Sequence, residues 1–254
     1  KFFRKIRQKM LTENKFSKYL LYAIGEIILV VIGILIALQI NNWNENRKVQ
    51  KQESEIYSEL KSDLIQTRYD IQETISKHKD VLKLNQQLVY DIHNKKPYSD
   101  TIYISFTASG AEFKVIPKTS GFENLKNIGL NILSNDSLRI SITNLYQLNL
   151  KRLEDNFGTE NTSFNIQEQL FPYQNKYLFA DYSEPKKQGF KYSDTITFYN
   201  LKIKDYNNFL TDNHLLKTLQ LTLFARSLIV NEEAKSVEEI NKVIKRIDDE
   251  LKEI

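Results

Sequence analysis

The chain has 254 residues, no cysteine and a formal net charge of +4 at pH 7. The lack of cysteine excludes a disulfide framework and thiol chemistry. Seven lysines and arginines but one acidic residue, Glu13, lie in residues 1–18, so this segment carries +6 and the remaining chain −2. Because the positive charge is confined to one segment, it indicates an arm at an anionic membrane surface. It excludes a basic face that binds nucleic acid.

Residues 1–18 are predicted to form a cytoplasmic, basic, amphipathic segment. Apolar residues recur at helical spacing between the cations, namely Phe2, Phe3, Ile6 and Met10. Such a helix lies in the headgroup plane of a bilayer, with its cations near anionic lipid. A disordered basic tail is the alternative.

Residues 19–43 are predicted to form a transmembrane anchor. The apolar run at 20–40 is interrupted only by Glu26 and Gln39, and about 20 helical residues cross a hydrocarbon core. The run is flanked by aromatic residues that suit membrane interfaces: Tyr19, Tyr22 and Trp43. A buried core helix and a cleaved signal peptide are the alternatives. The run is longer than the apolar region of a signal peptide and no A-x-A motif follows it, so we interpret it as an uncleaved signal anchor.

The charges on the two sides of the run predict its orientation. Cations dominate before it, whereas acidic and basic residues balance after it. The positive-inside rule then predicts a single-pass protein of the inner (cytoplasmic) membrane with a cytoplasmic N-terminus. Residues 44–254 are expected to form a periplasmic domain.

Small residues inside the run predict close contact with another helix. Gly33 and Ala37 form a small-xxx-small pair, and Gly25 is a further small residue. Glu26 costs about 2–3 kcal/mol in a bilayer unless it is paired, protonated or snorkelling. We expect Glu26 to pair with a neighbouring span or to snorkel, with proton transport as the alternative. The expected partners are therefore membrane lipid and further copies of the chain.

The N-terminal sequence FFRKIRQKM, followed by KFSKYLLYAIGEIILVVIGILIALQINNWNE, resembles an uncharacterised family of membrane-anchored proteins of Bacteroidota. The resemblance covers residues 1–46. It implies a membrane anchor and a compartment, but no activity, substrate or catalytic residue. Exported proteins of that phylum carry O-glycans at Asp-Ser/Thr-apolar triplets, so the resemblance also implies three candidate glycosylation sites: Thr101, Ser137 and Thr195.

A long amphipathic helix, continuous with the anchor, is predicted from residue 44 to residue 94, which include no Gly or Pro. Its apolar residues recur every eleven positions, at Val49, Leu60, Ile71 and Leu82. This period gives a nearly straight apolar stripe. The Lys-Lys-Pro sequence at 95–97 is predicted to end the helix.

A small β-rich insert is predicted at 98–118 and 190–204. β-branched and aromatic residues between Thr101 and Ile116 indicate a hairpin or two irregular strands, and 195–199 is a candidate partner strand.

Two helices are predicted between these β segments. Ser120 and Glu123 match a capping box that begins a short helix. Asn135 is expected to cap a longer helix that runs to Phe171 and ends at Pro172.

The last helix carries the clearest heptad pattern. Apolar residues alternate three and four positions apart: Leu216, Leu219, Leu223, Val230, Val237, Ile240, Ile244, Ile247, Leu251 and Ile254. This pattern predicts coiled-coil-like packing within an antiparallel helical bundle. Arg226 and Glu233 occupy stripe positions, where we expect them to pair across helices or snorkel and to fix the register. Ligand binding by these two residues is the alternative.

The sequence contains no recognisable catalytic or cofactor motif. HExxH, a nucleotide-binding Gly-rich loop and a cysteine-based metal site are all missing from it. Three histidines, His78, His93 and His214, stand far apart in polar settings and are predicted to lie on the surface. We therefore expect a mainly α-helical protein that is not an enzyme and has no cofactor.

Two functional classes fit these features. The first is a self-associating structural or scaffold subunit of an envelope complex, with other envelope proteins as further partners. The second is a periplasmic helical-bundle sensor or ligand-binding module that signals through a partner protein. A cavity lined by convergent polar groups would favour the sensor, and a dry core would favour the scaffold.

Overall fold

The computed structural model describes residues 16–154 and 165–253. The predicted interfacial helix lies outside the described residues except for 16–18. The fold is mainly helical with one small sheet, as the sequence predicts. The described residues up to Glu55 form one compact unit, and residues Ile56–Glu253 form a second.

Helix α1 spans Phe16–His93. It ends where the sequence predicts, because Lys95 adopts a left-handed conformation with φ of 48°. The backbone N–H of Lys95 donates to the carbonyl of Ile92, and that of Lys96 donates to the carbonyl of Asp91. These two bonds form a Schellman motif, which satisfies carbonyls at the helix end.

The buried face of α1 follows a seven-residue pattern, so the predicted eleven-residue period is wrong. Val49 is exposed and Leu82 is only half-buried. The buried positions instead alternate three and four residues apart: Tyr57, Leu60, Leu64, Thr67, Ile71, Thr74, His78, Val81, Asn85, Leu88 and Ile92. Four of these residues are polar, which hides the repeat from a search for apolar residues alone.

Helix α2, Asp100–Ser109, replaces the strands predicted at 98–118. Its buried residues are Ile102, Ser105, Phe106 and Ser109, which share one helical face. The β-branched composition favoured a strand, but the burial period is helical, and tertiary packing overrides the propensity. An extended segment then leads to the next helix.

Helix α3, Ser120–Ile128, begins at the predicted position, but the contact at its N-terminus differs from the predicted capping box. The Ser120 hydroxyl does not cap the helix and donates instead to Asp63 of α1, at 2.9 Å. Asp63 also accepts from the backbone N–H of Gly121, at 2.7 Å. A Cβ on Gly121 would lie 2.9 Å from the Leu60 backbone nitrogen, so the two helices approach too closely there for any larger residue.

A 3-10 turn, Leu130–Ile132, leads to helix α4, Asp136–Asn144. The Asn135 side chain caps α4 as predicted, by accepting from the N–H of Leu138 at 3.0 Å. A π-helical turn, Leu145–Leu150, and helix α5, Lys151–Glu154, continue the chain.

Helix α6, Ile166–Tyr177, has its own cap, Asn165, which accepts from the N–H of Glu168. Pro172 lies inside α6, so the prediction that a helix from residue 135 ends at Pro172 is wrong. The part of that predicted helix at 155–164 lies outside the described residues. The apolar contacts of Ile166, Leu170 and Tyr177 override the cost of an interior proline.

Strands β1, Leu178–Phe190, and β2, Ser193–Ile203, form an antiparallel hairpin. The predicted strand at 195–199 lies within β2, but its partner is β1 and not the 100–117 segment. The sequence concealed β1 because Pro185, Gly189 and several charges interrupt any alternating pattern. The pairing register shifts between Ala180 and Pro185.

Helix α7, Tyr206–Thr211, precedes the last helix, α8, Asn213–Glu253. Helix α8 runs antiparallel to α1, because Lys61 contacts Asp248 while Arg68 donates to Asn241 at 2.7 Å. The two contacts are seven residues apart on each helix, so the register is constant between them.

The heptad predicted in α8 is confirmed, with a small rotation of its buried face. Leu219, Ile240, Ile244 and Ile247 are buried as expected. Other predicted positions are only partly buried, namely Leu216, Leu223, Val230, Val237 and Leu251. The residues that precede three of them, Leu215, Thr222 and Ser236, are buried instead, and Val243 is buried beside Ile244. Ile254 lies outside the described residues.

The buried apolar residues of Ile56–Glu253 form two separate cores. The first core joins α1 between Ile56 and Ile71, α3, the α4–α5 segment and α8 between Ile240 and Ile247. The second core joins the end of α1, α2, α6, α7, Ile203 of β2 and the beginning of α8. Helices α1 and α8 are thus shared by both cores.

Candidate functional site

The described chain contains one helix long and apolar enough to cross a membrane, and none of its apolar window is buried. A Cβ added at Gly25 or Gly33 would meet nothing within 4 Å, and Ala37 and Glu26 are exposed. Trp43 is exposed and Tyr22 is half-buried, while the side chain of Tyr19 lies outside the described residues. The packing and interfacial roles of these residues remain predictions.

The three candidate glycosylation residues are exposed but differ in their contacts. The Thr101 hydroxyl is hydrogen-bonded to that of Ser99 in the first turn of α2, at 2.7 Å. The Ser137 hydroxyl accepts from Arg246 of α8. Thr195 lies on strand β2. Modification at these positions remains a prediction.

The most unusual chemistry of the bundle lies between its two cores. We call the polar layer the buried polar side chains of α1 and α8 that separate the cores: Thr74, His78, Asn85, Thr222, Arg226, Glu233 and Ser236. On α1 the layer lies between Ile71 and Leu88, and on α8 between Leu219 and Ile240. The antiparallel register brings these two polar stretches level with each other.

Arg226 is the centre of the polar layer and is fully buried. Its Nη1 is 2.9 Å from Nδ1 of His78. Its Nη2 donates to the backbone carbonyls of Ser109 at 3.0 Å and Ala111 at 2.7 Å. Burial lowers the pKa of Arg226 to about 10, although the negative charge of Glu112 acts to raise it. Arg226 therefore stays cationic at neutral pH and joins α8 to α1 and to the end of α2.

His78 lies between Arg226 and Glu233, the two buried ionisable residues of α8. A guanidinium only donates, so Nδ1 of His78 must accept and its proton resides on Nε2. Burial and then the charge of Arg226 lower the pKa of His78 to about 4, against a raising contribution from the Phe113 backbone. The imidazole is therefore neutral at pH 7, and its ring packs edge-on against that of Phe113, with centroids 5.1 Å apart.

Glu233 faces the other side of the same imidazole. Its Oε1 is 3.7 Å from Nε2 of His78, which is longer than a hydrogen bond. Burial raises the pKa of Glu233 to about 8. Since this value lies above 7, the carboxyl is mostly protonated at neutral pH, and the layer then carries a single full charge on Arg226.

Several atoms of the polar layer have no hydrogen-bond partner among the described residues: Nε2 of His78, Oδ1 and Nδ2 of Asn85, Nε of Arg226 and Oε2 of Glu233. Each buried, unsatisfied polar group costs about 1–3 kcal/mol. The total stability of a domain is only about 5–15 kcal/mol. The polar layer is therefore a costly feature of this fold.

Sequence reasoning located two members of the layer and missed the others. It placed Arg226 and Glu233 on the buried stripe, and both of them face His78. The prediction of a surface position is wrong for His78, which is 2% exposed, whereas His93 and His214 are exposed. The heptad spacing through His78 and Asn85 was the available signal. Among the described residues, no group of three His, Asp or Glu side chains is placed to hold a metal ion.

These features define a helical-bundle protein with one helix that is long and apolar enough to span a membrane. The chain belongs to a family of unknown function, DUF6090, whose model matches residues 26–177, more than half of its length. His78 and Asn85 lie inside the matched range, and Arg226 and Glu233 lie outside it. No match was found among curated proteins, and none among solved structures.

Proposed function

We propose that this protein is a non-enzymatic, single-pass protein of the inner membrane that self-associates as a structural subunit of an envelope complex. In this proposal the N-terminus is cytoplasmic and the helical bundle is periplasmic. The observation that carries the proposal is the apolar run of α1, whose large side chains are exposed, for example Leu21 at 77% and Leu29 at 73%. Apolar surface of this extent requires a cover, and a bilayer fits its length.

Anchoring and orientation are tested separately. We expect the protein to stay with vesicles in alkaline carbonate, and a C-terminal alkaline-phosphatase fusion to be active. Release by carbonate would reject the anchor. An inactive alkaline-phosphatase fusion beside an active cytoplasmic reporter at the same position would reject the orientation alone.

Self-association through the span is supported by the exposed small residues Gly33 and Ala37, which allow a second helix to approach closely. We expect light scattering of the protein in detergent to show an oligomer. Gly33→Leu combined with Ala37→Leu should shift it toward monomer. The matched control is Val31→Phe, which adds bulk about 160° around the helix from Gly33. Monomers in the unmodified protein, or equal effects of both changes, would contradict the proposal.

A sensor that signals through a partner protein is the second candidate. It is supported by the convergence of His78, Arg226 and Glu233 at the centre of the bundle. Against it, the unpartnered atoms of these residues are out of contact with solvent, so a ligand would need the layer to open.

The sensor candidate is tested with small anions, because Arg226 carries the full positive charge of the polar layer. Titration with sodium phosphate and with sodium acetate at constant ionic strength should raise the melting temperature if the layer binds an anion. Equal melting temperatures with and without either anion would favour the structural subunit.

A further inference from the structure

The polar layer interrupts the apolar contact between the two cores. Along α1 the buried apolar residues of the first core end at Ile71, with the partly buried Ile75 packed against it, and those of the second core begin at Leu88. Along α8 the fully buried apolar residues are interrupted between Leu219 and Ile240. Within that range the partly buried Ala225 and Ile229 pack against the second core and Val237 packs against the first, so the interruption is narrowest between Ile229 and Val237. Val81 is the buried apolar residue of α1 within the gap, and it belongs to neither core.

The interruption has an energetic consequence for cooperativity. Two packed regions unfold together when separating them exposes apolar surface, because that exposure is costly. At the polar layer, separation instead brings water to buried polar atoms that have no hydrogen-bond partner in the described part of the chain, namely atoms of His78, Asn85, Arg226 and Glu233. A boundary between a folded and an opened half is therefore less costly at the layer than anywhere within either core.

We infer that the polar layer divides the bundle into two halves that open independently, each built around one core. Helix α8 belongs to both halves, so its residues 215–219 open with the second core and its residues 240–247 open with the first. The layer is then the hinge of the bundle. This inference concerns Ile56–Glu253 and does not depend on the proposed membrane attachment.

The layer also contains the contacts that hold the halves in register when both are closed. Arg226 bonds to His78 of α1 and to the carbonyls of Ser109 and Ala111. Opening of either half breaks part of this set and hydrates Glu233. The charged and titratable groups around the hinge are His78, Arg226, Glu233 and Glu112, the last from the segment after α2.

Native-state amide hydrogen exchange of the full chain in detergent tests this inference. We expect amides at 215–219 to exchange with those of the second core and amides at 240–247 with those of the first. The opening equilibria of the two groups should differ by at least about tenfold in a urea series below the unfolding transition. A single opening equilibrium shared by both ends of α8 would overturn the inference.

An apolar layer provides the variant test. His78→Leu, Arg226→Met and Glu233→Leu together should make the two cores open as one unit. The amides at 215–219 and at 240–247 should then share one opening equilibrium. The matched control is Lys245→Met, which removes an exposed charge from α8 and should leave the difference unchanged. If the triple variant does not fold, Asn85→Leu provides a second test. It keeps every charge and should reduce the difference in opening equilibrium between the two groups of amides. If the triple variant or Asn85→Leu folds and the two groups of amides keep their original difference in opening equilibrium, the proposed role of the polar layer is wrong.

Discussion

At the residue scale, Arg226 connects three segments through one buried guanidinium. Its partners are the imidazole of His78 and the backbone carbonyls of Ser109 and Ala111. Removing one member of a buried charged network is costly because the remaining groups stay desolvated. The stability effect of Arg226 should therefore greatly exceed that of a surface arginine.

We predict that Arg226→Ala lowers the free energy of unfolding by about 3–5 kcal/mol. The control is Arg246→Ala on the same helix, which removes hydrogen bonds to the hydroxyls of Ser137 and Ser141 and should cost about 1 kcal/mol. Urea denaturation followed by circular dichroism measures both. Similar losses for the two variants would contradict the central position of Arg226.

The polar layer also predicts how stability depends on pH. Glu233 has a folded pKa of about 8, above its unfolded 4.5, so its contribution to stability falls as pH rises between these values. His78 has a folded pKa of about 4, below its unfolded 6.5, so its contribution is lost as pH falls between them. From pH 4.5 to 6.5 the opposite effects of Glu233 and His78 on the free energy of unfolding cancel. From pH 6.5 to 8 only the titration of Glu233 changes it.

We therefore predict that the free energy of unfolding falls by about 1–2 kcal/mol between pH 6.5 and 8. Glu233→Gln should abolish this fall because the amide does not titrate. Glu232→Gln, next to it and paired with Lys235 outside the layer, should preserve the fall. Urea midpoints across the pH range measure the effect, and an unchanged slope in Glu233→Gln would count against it.

At the scale of elements, the sequence is sufficient to predict a helix and its end where the apolar period and the helix-stop residues agree. Helix α8 and the end of α1 follow from heptad spacing and from Lys95 and Pro97. Helix α2 was mistaken for strands because its β-branched residues were weighed above the period of Ile102, Ser105, Phe106 and Ser109. Strand β1 was missed because strand pairing depends on β2, and the residues of β1 do not alternate.

The contact of α3 with α1 shows why a local motif is insufficient. The sequence of α3 offers its own cap, Ser120, yet the carboxylate of Asp63 accepts from the first turn of the helix. Such a long-range cap leaves no local pattern in the sequence. Its position is determined by the close approach at Gly121, which only the packed helices reveal.

We predict that Asp63→Ala lowers the free energy of unfolding by about 2–3 kcal/mol, because a charge-assisted bond to the Gly121 N–H is lost at a buried helix terminus. Asp70→Ala is the control, one heptad further along α1, where a partly exposed ion pair with Lys118 is removed. That change should cost less than about 1 kcal/mol. Thermal denaturation distinguishes the two, and equal losses would refute the capping role of Asp63.

At the scale of the whole molecule, α8 completes both cores although it lies outside the range that the family model matches. It contributes Leu215 and Leu219 to the second core and Ile240, Val243, Ile244 and Ile247 to the first. The matched range alone therefore lacks one wall of each core.

We predict that a chain ending at Thr211 loses cooperative unfolding, since the apolar faces of α1 and α6 would be exposed to water. The control is Glu253→Ala in the full-length chain, which should melt like the unmodified protein because the Glu253 side chain is exposed. Calorimetry of the two chains provides the measurement. A cooperative transition in the shorter chain would show that α8 is dispensable for folding.

The β1–β2 hairpin has a practical consequence for locating the protein in cells. Most of its residues are exposed on both faces, and Tyr192 in the connecting turn is 88% exposed. Only its base, near Leu178 and Ile203, packs on the second core. An epitope or a small fluorescent label inserted between Lys191 and Tyr192 would leave both cores intact, which makes this turn suitable for microscopy and affinity purification.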